Sequence, residues 1–458
     1  MRLISKKSQK IIKRKIKNFS KKLAIVKKTV RSKKRTILKN IKATNKQINK
    51  SIKSYNKQHS DTERKNAVSV VVLAILIIGL CINLWSNNRS MKINGYSTTL
   101  DQTTAFESRI LIAGDVYWGR DINKWSQNSP RKEAYPFRHL SEFDKSSYDA
   151  WVANLECPSV PGIKVSLKDE KENLIFNCPT SYLTEAAKWF NVFSLANNHT
   201  SNQNKEKGLT ATRKALEKSG IQYFGHFNPN ISTDACEIVA MPARVRLNNA
   251  QQSVNVPVAM CGFAGVNYKL QEKDLEPIKM YSKYMPVIVM PHMGTEYRAG
   301  VDSERQTLYR KMIDYGADMV IGNHPHWVQP SEAYKGKLIV YSMGNFIFDQ
   351  QFSSEVTRSA AISLIISIKQ GSVSENQLKT WVNIGSECAV FQDKCLDKIK
   401  LTSTEERMPF KFNFNIVGVQ TSGKTTKPSN ARTYNSILDR LNWKQTQNEL
   451  SANNSTEN

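Results

Sequence analysis

The chain has 458 residues, of which 40% are hydrophobic and 23% are charged, and its formal net charge is +28. This length allows two to three domains, and the composition excludes collagen-like, coiled-coil and disulfide-dense proteins. The charge is uneven, because residues 1–66 contain 24 Lys and Arg but only two acidic residues, whereas the remainder carries a net charge of only +6. The sequence therefore predicts a basic arm, residues 1–66, attached to a nearly neutral body.

An uncharged apolar segment follows the basic arm. Residues 67–82 read AVSVVVLAILIIGLCI, and Asn83, Leu84 and Trp85 extend the segment to nineteen residues. At about 1.5 Å per residue in a helix, this length just spans a hydrocarbon core of about 30 Å. A cleaved signal peptide is the competing interpretation, but no A-x-A site follows. We predict a single transmembrane helix over residues 67–85, with the N-terminus in the cytoplasm and the main domain outside it.

The basic arm has two candidate partners, nucleic acid and anionic lipid, since both carry phosphate groups. Its only aromatic residues are Phe19 and Tyr55, so it lacks the stacking surface that single-stranded nucleic acid requires. Because the predicted transmembrane helix follows directly, we expect anionic lipid, and not nucleic acid, to bind the arm. The expected location of the protein is the cell membrane.

The body begins with a polar linker, residues 86–107, and then alternates short apolar runs with helical patterns. The predicted strands are RILIAGD, YDAWVANLE, NVFSLANNH, VPVAMCGFAG, MPVIVMPH, ADMVIGNH, KLIVYSMGN and AAISLIISI. Helical spacing occurs in SYLTEAAKWF and over Leu209–Leu216 and Leu308–Ile313. This alternation is typical of an α/β core. The polar tail, residues 419–458, is expected to be poorly ordered except for one helix around Ile437–Leu441.

Six cysteines follow the predicted transmembrane helix. Local spacing makes Cys157/Cys178 and Cys388/Cys395 candidate disulfides, and an oxidising compartment would allow them to form. Buried free thiols are an equally good interpretation, because the sequence does not give the pairing.

Polar side chains with metal-binding chemistry follow five of the predicted strands. They are Asp115, Asn154, Glu156, Asn197, Asn198, His199, His292, His324 and His326. The carboxyl ends of strands in an open α/β sheet line the crevice where ligands bind, so these side chains are expected to meet. Any one of them could instead make a turn, a helix cap or a structural hydrogen bond. Because His, Asp and Glu ligate divalent cations, and because five strand ends carry such residues, we predict a metal site.

Several longer motifs contain these residues. They are GDVYWGR, NLE, SLANNHT, PHMGTEY, GADMVIGNHPHWVQ and KLIVYSMGNFIFD, and they extend from about residue 109 to residue 350. Their order and spacing resemble the bacterial capsule synthesis protein CapA family. The resemblance implies a metallophosphoesterase-like αββα sandwich over residues 108–418, with a membrane anchor before it. It also implies a role in capsule or poly-γ-glutamate synthesis, with an anionic polymer or a phosphoester as substrate and other capsule synthesis membrane proteins as partners.

The resemblance further implies roles for individual residues. Six of them would ligate one or two divalent ions, with Mn, Mg, Zn and Fe all open as identities. These ligands are Asp115, Glu156, Asn198, His292, His324 and His326. His199 would donate a proton to a leaving group, as a histidine near neutral pH can. Four residues would contact the substrate: Arg120, Asn154, Glu296 and Asn345. Glu296 could instead support the ligands, and Arg120 and Asn345 would lie at the rim of the site.

Three positions depart from what the resemblance implies, two of them from the pattern of metallophosphoesterases and one from that of the family. Tyr117 stands where phosphoesterases usually have a His, Glu156 replaces a bridging Asp, and Asn202 stands where the family has a carboxylate. Two functions are therefore compatible with the sequence. One is a metal-dependent hydrolase or transferase outside the cytoplasm. The other is a non-catalytic assembly, export or anchoring factor for a polyanionic polymer, in which the metal site serves as a scaffold.

Overall fold

The structure is a computed structural model that describes residues 99–389, residue 395 and residues 407–456. The predicted basic arm, the predicted transmembrane helix and most of the predicted linker lie outside these residues. Within the described part, no helix combines the length and the apolar character needed to cross a bilayer.

The described residues form a mixed α/β fold that is rich in sheet. The strands, in chain order, are β1 (Thr104–Val116), β2 (Ala150–Leu155), β3 (Val192–Ser194), β4 (Gln222–Phe224), β5 (Cys236–Leu247), β6 (Ala250–Ala264), β7 (Val287–His292), β8 (Met319–Ile321), β9 (Gln329–Tyr334), β10 (Lys337–Ser342), β11 (Asn345–Ile347), β12 (Arg358–Lys369), β13 (Lys411–Gln420) and β14 (Lys427–Pro428). The α-helices are α1 (Arg120–Gln127), α2 (Leu167–Glu172), α3 (Leu183–Ala186), α4 (Lys205–Lys218), α5 (Glu276–Ser282), α6 (Ser303–Asp314), α7 (Ser354–Thr357), α8 (Glu375–Cys388), α9 (Ala431–Leu441) and α10 (Trp443–Thr456).

The sheet branches at β1. The N-terminal half of β1 pairs with β5 in antiparallel fashion, with Phe106 opposite Val245. Its C-terminal half pairs in parallel with β2, where Ile110 lies opposite Ala150. Two limbs therefore leave β1: one runs β5-β6-β7-β8-β10-β9 and the other β2-β3-β4, while β12, β13 and β14 continue the sheet on the opposite side.

The two faces of each limb pack into different hydrophobic cores, as the alternation of side chains along a strand requires. On β2, Val152 lies in a central core, whereas Trp151 lies in a second core on the opposite face. On β7, Ile288 lies in the same central core, whereas Val289 packs in a third core with Met312 of α6. Both limbs thus bury one face in the central core and cover the other with helices and loops.

Each strand predicted from the sequence overlaps an observed strand, so the α/β prediction is confirmed. The predicted helices over Leu209–Leu216 and Leu308–Ile313 lie within α4 and α6, but SYLTEAAKWF is helical only over α3. Strand β5 was missed because Pro242 and Arg244 interrupt its apolar run. The Arg244 guanidinium is nevertheless buried and pairs with Glu107 and Asp149, as a charge inside a protein must.

The prediction of a poorly ordered tail is wrong. Helix α9 contains the helix expected around Ile437–Leu441, and α10 follows almost at once. Leu441, Trp443 and Leu450 are buried in the central core, and the Ser331 hydroxyl of β9 donates a hydrogen bond to the Leu441 carbonyl at 2.7 Å. A few apolar side chains at helical spacing therefore outweigh the Asn- and Ser-rich composition.

All six cysteines beyond the predicted transmembrane helix form disulfides, so the free-thiol interpretation is wrong. The pairs are Cys157–Cys178, Cys236–Cys261 and Cys388–Cys395. The first and the last confirm the candidate pairs. The second joins residues directly opposite each other on β5 and β6, which only the strand register reveals.

Candidate metal centre

The polar residues at five strand ends meet in one buried place. Asp115, at the end of β1, lies opposite Asn154 of β2 and Asn345 of β11. The predicted residues that end β7 or follow β2, β3 and β8 lie beside them. We call the five ionisable side chains at the centre of this place the ligand cluster: Asp115, Glu156, His292, His324 and His326.

A close backbone approach positions Asp115. A Cβ atom on Gly114 would lie 1.9 Å from the carbonyl oxygen of Gly344, so glycine is required where β1 passes the turn before β11. The Asp115 N–H donates a hydrogen bond of 3.1 Å to the same oxygen. The GD pair of the first motif therefore has a structural reason as well as a chemical one.

The ligand cluster contains two overlapping groups of three side chains. Glu156, His292 and His324 form one group, and Asp115, Glu156 and His326 form the other. Within each group the candidate ligand atoms all lie within 4.8 Å of one another. Since Glu156 belongs to both groups, it occupies the position of a ligand that two ions could share.

Two histidines face both carboxylates. The His292 nitrogens lie 3.7 Å from Asp115 Oδ1 and 3.7 Å from Glu156 Oε1. The His326 nitrogens lie 3.7 Å from Asp115 Oδ2 and 3.7 Å from Glu156 Oε1. These separations exceed hydrogen-bond length but are compatible with ligand atoms around a common ion.

Unpaired polar atoms test whether these residues fit a metal ion. Glu156 Oε2 and His324 Nδ1 are buried and have no hydrogen-bond partner within the described residues. Leaving such atoms unpaired inside a protein is costly, and a bound cation would satisfy them. The donor set, two carboxylates and three imidazoles, also suits borderline and hard divalent cations. The cluster therefore fits one or two divalent ions.

The two histidines after β8 have unusual backbone conformations. The φ angles of His324 and His326 are 96° and 56°, in a region that residues with a Cβ rarely adopt. Backbone strain of this kind persists only where the surrounding structure holds the residue in place, and it is concentrated at functional sites. The GNHPHW turn thus holds both rings toward the carboxylates.

Burial controls protonation in the ligand cluster. Burial raises the pKa of Asp115 to about 7. Burial and the negative charge of Asp115 both raise the pKa of Glu156 well above its ordinary value. Burial lowers the pKa of His292 well below its ordinary value and the pKa values of His324 and His326 to about 3. The imidazoles are therefore neutral at pH 7, the form that binds metal, and a bound dication would favour ionised carboxylates.

We expect metal affinity to fall as the pH is lowered from about 8 to about 6. Because burial raises the pKa of Asp115 to about 7, a proton competes with the metal below that pH. Calorimetric titration of the chelator-treated protein with Mn²⁺, in two buffers of different ionisation enthalpy, would measure the protons released. An affinity that does not change with pH, without proton release, would contradict this expectation.

Two amides that we predicted to contact substrate lie behind the ligands instead. Asn154 and Asn345 are 1% and 0% exposed. The Asn154 amide donates a hydrogen bond of 2.8 Å to Asp115 Oδ1, and Asn345 Oδ1 lies 2.8 Å from His326 Nδ1. The polar atoms of both amides orient side chains of the ligand cluster, and the rim position expected for Asn345 is wrong because that residue is fully buried.

The loop after β3 supplies Asn198 and His199. Asn198 Oδ1 lies 2.9 Å from His292 Nε2, so this residue reaches the ligand cluster as predicted. The His199 ring stacks on Phe176 at a centroid distance of 3.9 Å, and its Nδ1 lies 3.0 Å from Asn202 Oδ1. Burial lowers the pKa of His199 to about 4, so the expectation of a histidine titrating near pH 7 is not met in this state.

Two of the departures from the expected patterns, at Tyr117 and Asn202, have local explanations. The Tyr117 hydroxyl donates a hydrogen bond of 2.7 Å to Glu170, which is not a member of the ligand cluster. Asn202 accepts a hydrogen bond of 2.9 Å from the Phe176 N–H while its oxygen also contacts His199. The amide oxygen of Asn202 thus contacts His199 from the position where the family has a carboxylate.

The remaining predicted residues lie at the edge of the site. Glu296 is half-buried and belongs to neither ligand group, but its charge raises the pKa values of Asp115 and Glu156. Arg120 pairs with Asp349, a residue that ends the last motif but was not among the predicted site residues. Phe176 was also missed, since no motif contains it and only the fold brings it to His199.

Comparison with known proteins identifies the family of this chain. The family described as "Bacterial capsule synthesis protein PGA_cap" matches residues 109–350. The chain is 30% identical over 264 residues to the capsule biosynthesis protein CapA of Bacillus anthracis, a match that covers 52% of this chain and 59% of that protein. It is 24% identical over 322 residues to the PGA biosynthesis protein CapA of Bacillus subtilis (strain 168), which covers 66% of this chain and 77% of the relative.

The chain therefore spans about three fifths of the length of the Bacillus anthracis relative. The family match covers just over half of the chain and includes every residue of the ligand cluster. The protein belongs to the bacterial capsule synthesis protein family PGA_cap.

Proposed function

We propose that this protein acts in the biosynthesis of capsule or poly-γ-glutamate polymer as a metal-dependent hydrolase or transferase. The observation that supports this most is the buried ligand cluster, in which Glu156 is common to both groups. Paired divalent cations supply Lewis acidity toward a phosphoryl or carbonyl oxygen and make water a better nucleophile. The packing of both limbs on one central core, with helices outside, supports a metallophosphoesterase-like αββα sandwich.

The residues of this chain would perform three tasks in such a reaction. Asp115, Glu156, Asn198 and the three histidines would hold the ions, as their donor atoms allow. His199 would hold a proton for the leaving oxygen, with Asn202 fixing its ring. Its pKa is low because it is buried, and a nearby anionic substrate would raise the pKa toward neutrality.

The proposed substrate is an anionic polymer of the polyglutamate type or a phosphoester, and other membrane proteins of capsule synthesis are proposed partners. The name of the Bacillus subtilis relative, a PGA biosynthesis protein, supports the polymer. A non-catalytic assembly, export or anchoring factor is the second candidate. Two observations favour it: the Tyr117 hydroxyl is committed to Glu170, and Asn202 replaces a carboxylate beside His199.

Removal of metal tests this proposal. The full chain in detergent, supplied with Mn²⁺, would be assayed on bis(p-nitrophenyl) phosphate and on poly-γ-glutamate. We expect turnover of at least one substrate, its loss on chelation and its return when Mn²⁺ is added back. Binding of the ions without turnover of either substrate would favour the assembly function.

We further propose that the protein works at the cell envelope, as capsule biosynthesis requires. The disulfides of the described residues suit an oxidising compartment. Residues 67–85 would form the single transmembrane helix, and the basic arm would bind anionic lipid on the cytoplasmic side.

A membrane-extraction experiment checks the anchor. We expect the intact chain to stay with membranes during a high-salt wash and to be released only by detergent, because a buried apolar helix is insensitive to salt. The control is a chain that starts at residue 90, which should appear in the soluble fraction. Full release of the intact chain by salt would mean that the basic arm alone holds it.

A further inference from the structure

We propose that Arg120 forms an anion subsite beside the ligand cluster, where it binds one carboxylate or phosphoryl group of the substrate. This inference rests on the proposed function and names the part of the substrate that the protein recognises. Arg120 follows β1 and begins α1, and its side chain is 12% exposed. The side chain is therefore mostly buried, but part of it remains accessible to a ligand.

Shared aromatic neighbours place the guanidinium next to the reacting centre. The Phe176 ring lies 4.8 Å from Arg120 Cζ and stacks on His199 at 3.9 Å. The Phe348 ring lies 5.6 Å from Arg120 Cζ and 4.9 Å from the His326 ring. One ring therefore separates Arg120 from the proposed proton donor, and one separates it from a candidate metal ligand.

One edge of the guanidinium is held by two hydrogen bonds, and another edge has no hydrogen-bond acceptor within the described residues. Its Nε donates to Asp349 Oδ2 at 2.9 Å, and its Nη2 donates to Asp349 Oδ1 at 2.7 Å. The rings of Tyr117, Phe176 and Phe348 surround its plane. Within the described residues Nη1 donates to no partner, so two N–H groups remain for a ligand. A fork fixed in this way loses little conformational entropy when it binds an anionic oxygen.

The backbone around Arg120 is built to keep this position. Its φ is 40°, which is uncommon for a residue with a side chain, and its N–H donates a hydrogen bond of 2.9 Å to Glu170. The same Glu170 accepts from the Tyr117 hydroxyl. A plain surface ion pair between Arg120 and Asp349 would not need a strained backbone, a buried carboxylate and three rings around it.

A carboxylate of a glutamate polymer and a phosphoryl group present the same anionic oxygen to Nη1, so two probes distinguish them. The full chain, loaded with Mn²⁺ in detergent, would be titrated calorimetrically with inorganic phosphate and with a γ-linked glutamate tetramer. The variants are Arg120→Lys, which keeps the charge without the fork, and Arg120→Gln/Asp349→Asn, which leaves no unpaired carboxylate. The matched control is Lys168→Gln, an exposed cation on α2. Thermal unfolding and metal content would be measured on every sample.

We expect both Arg120 variants to bind at least one probe about tenfold or more weakly, while the Lys168 variant binds like wild type. Weakening for phosphate alone would identify a phosphoryl substrate, and weakening for the tetramer alone would identify a polymer carboxylate. Folded, metal-loaded Arg120 variants that bind both probes like wild type would overturn the subsite and leave the proposed function intact. Wild type that binds neither probe would also overturn it. Absence of metal from wild type would instead overturn the proposed function, and the same titrations on that protein would still decide the subsite.

Discussion

Replacement of Glu156 by Gln is expected to weaken metal binding more than any other single change. Glu156 is the only member common to the two groups of the ligand cluster within the described residues, so its loss removes a ligand from both. Changing a residue that merely supports a ligand already costs about tenfold to a hundredfold in affinity. We expect a larger loss here, measured by calorimetric titration of the chelator-treated full chain with Mn²⁺.

The matched control for this prediction is Asp274→Asn. Asp274 is a buried carboxylate, 2% exposed, and it accepts a hydrogen bond of 2.9 Å from Asn230 in a different part of the fold. This variant tests whether loss of any buried carboxylate disturbs metal binding through stability alone. If Glu156→Gln bound Mn²⁺ as tightly as wild type, or if both variants lost affinity equally, the shared position of Glu156 would be refuted.

His199→Ala is expected to lower turnover by about 10²–10⁴-fold, the usual contribution of a positioned acid. The fold and the metal content should stay unchanged, because His199 lies beside the ligand cluster and belongs to neither ligand group. The measurement is the initial rate on whichever substrate wild type hydrolyses, together with metal content and thermal unfolding of the same sample.

A surface histidine provides the control for this change. The His139 side chain is 40% exposed and its Nδ1 lies 2.6 Å from Glu142 Oε1, so His139→Ala should keep full activity. Polymer production in cells that lack the wild-type protein adds a second readout. If His199→Ala restores production while His324→Ala does not, the assembly function should be preferred, because the metal site would then matter without proton transfer.

The candidate site was largely predictable from the sequence, because each ligand follows an apolar run that ends at the same edge of the sheet. Asp115, Glu156 and the three histidines of the ligand cluster could be found in this way. The type of residue alone does not show whether an amide contacts substrate or orients a ligand. Asn154 and Asn345 were therefore misplaced, since burial separates these roles and burial depends on the fold.

Sequence patterns did not predict contacts between segments that are distant along the chain. Phe176 lies between β2 and β3, in a segment whose ends the Cys157–Cys178 disulfide joins, and its ring stacks on His199. The amphipathic spacing of α9 and α10 was hidden by a polar composition, although Trp443 packs in the central core. In both cases tertiary packing decides the outcome, and local propensity is too weak to indicate it.

The central claim is that this fold holds divalent metal in the ligand cluster, and metal analysis tests it most directly. The purified full chain and its His324→Ala/His326→Ala double variant would be analysed by inductively coupled plasma mass spectrometry after equilibration with Mn²⁺. Each substitution removes a ligand from a different group of the cluster. The structure predicts about one or two ions per wild-type chain and a clear loss in a double variant that remains folded. Equal metal content in the two proteins, or no metal in wild type, would contradict it.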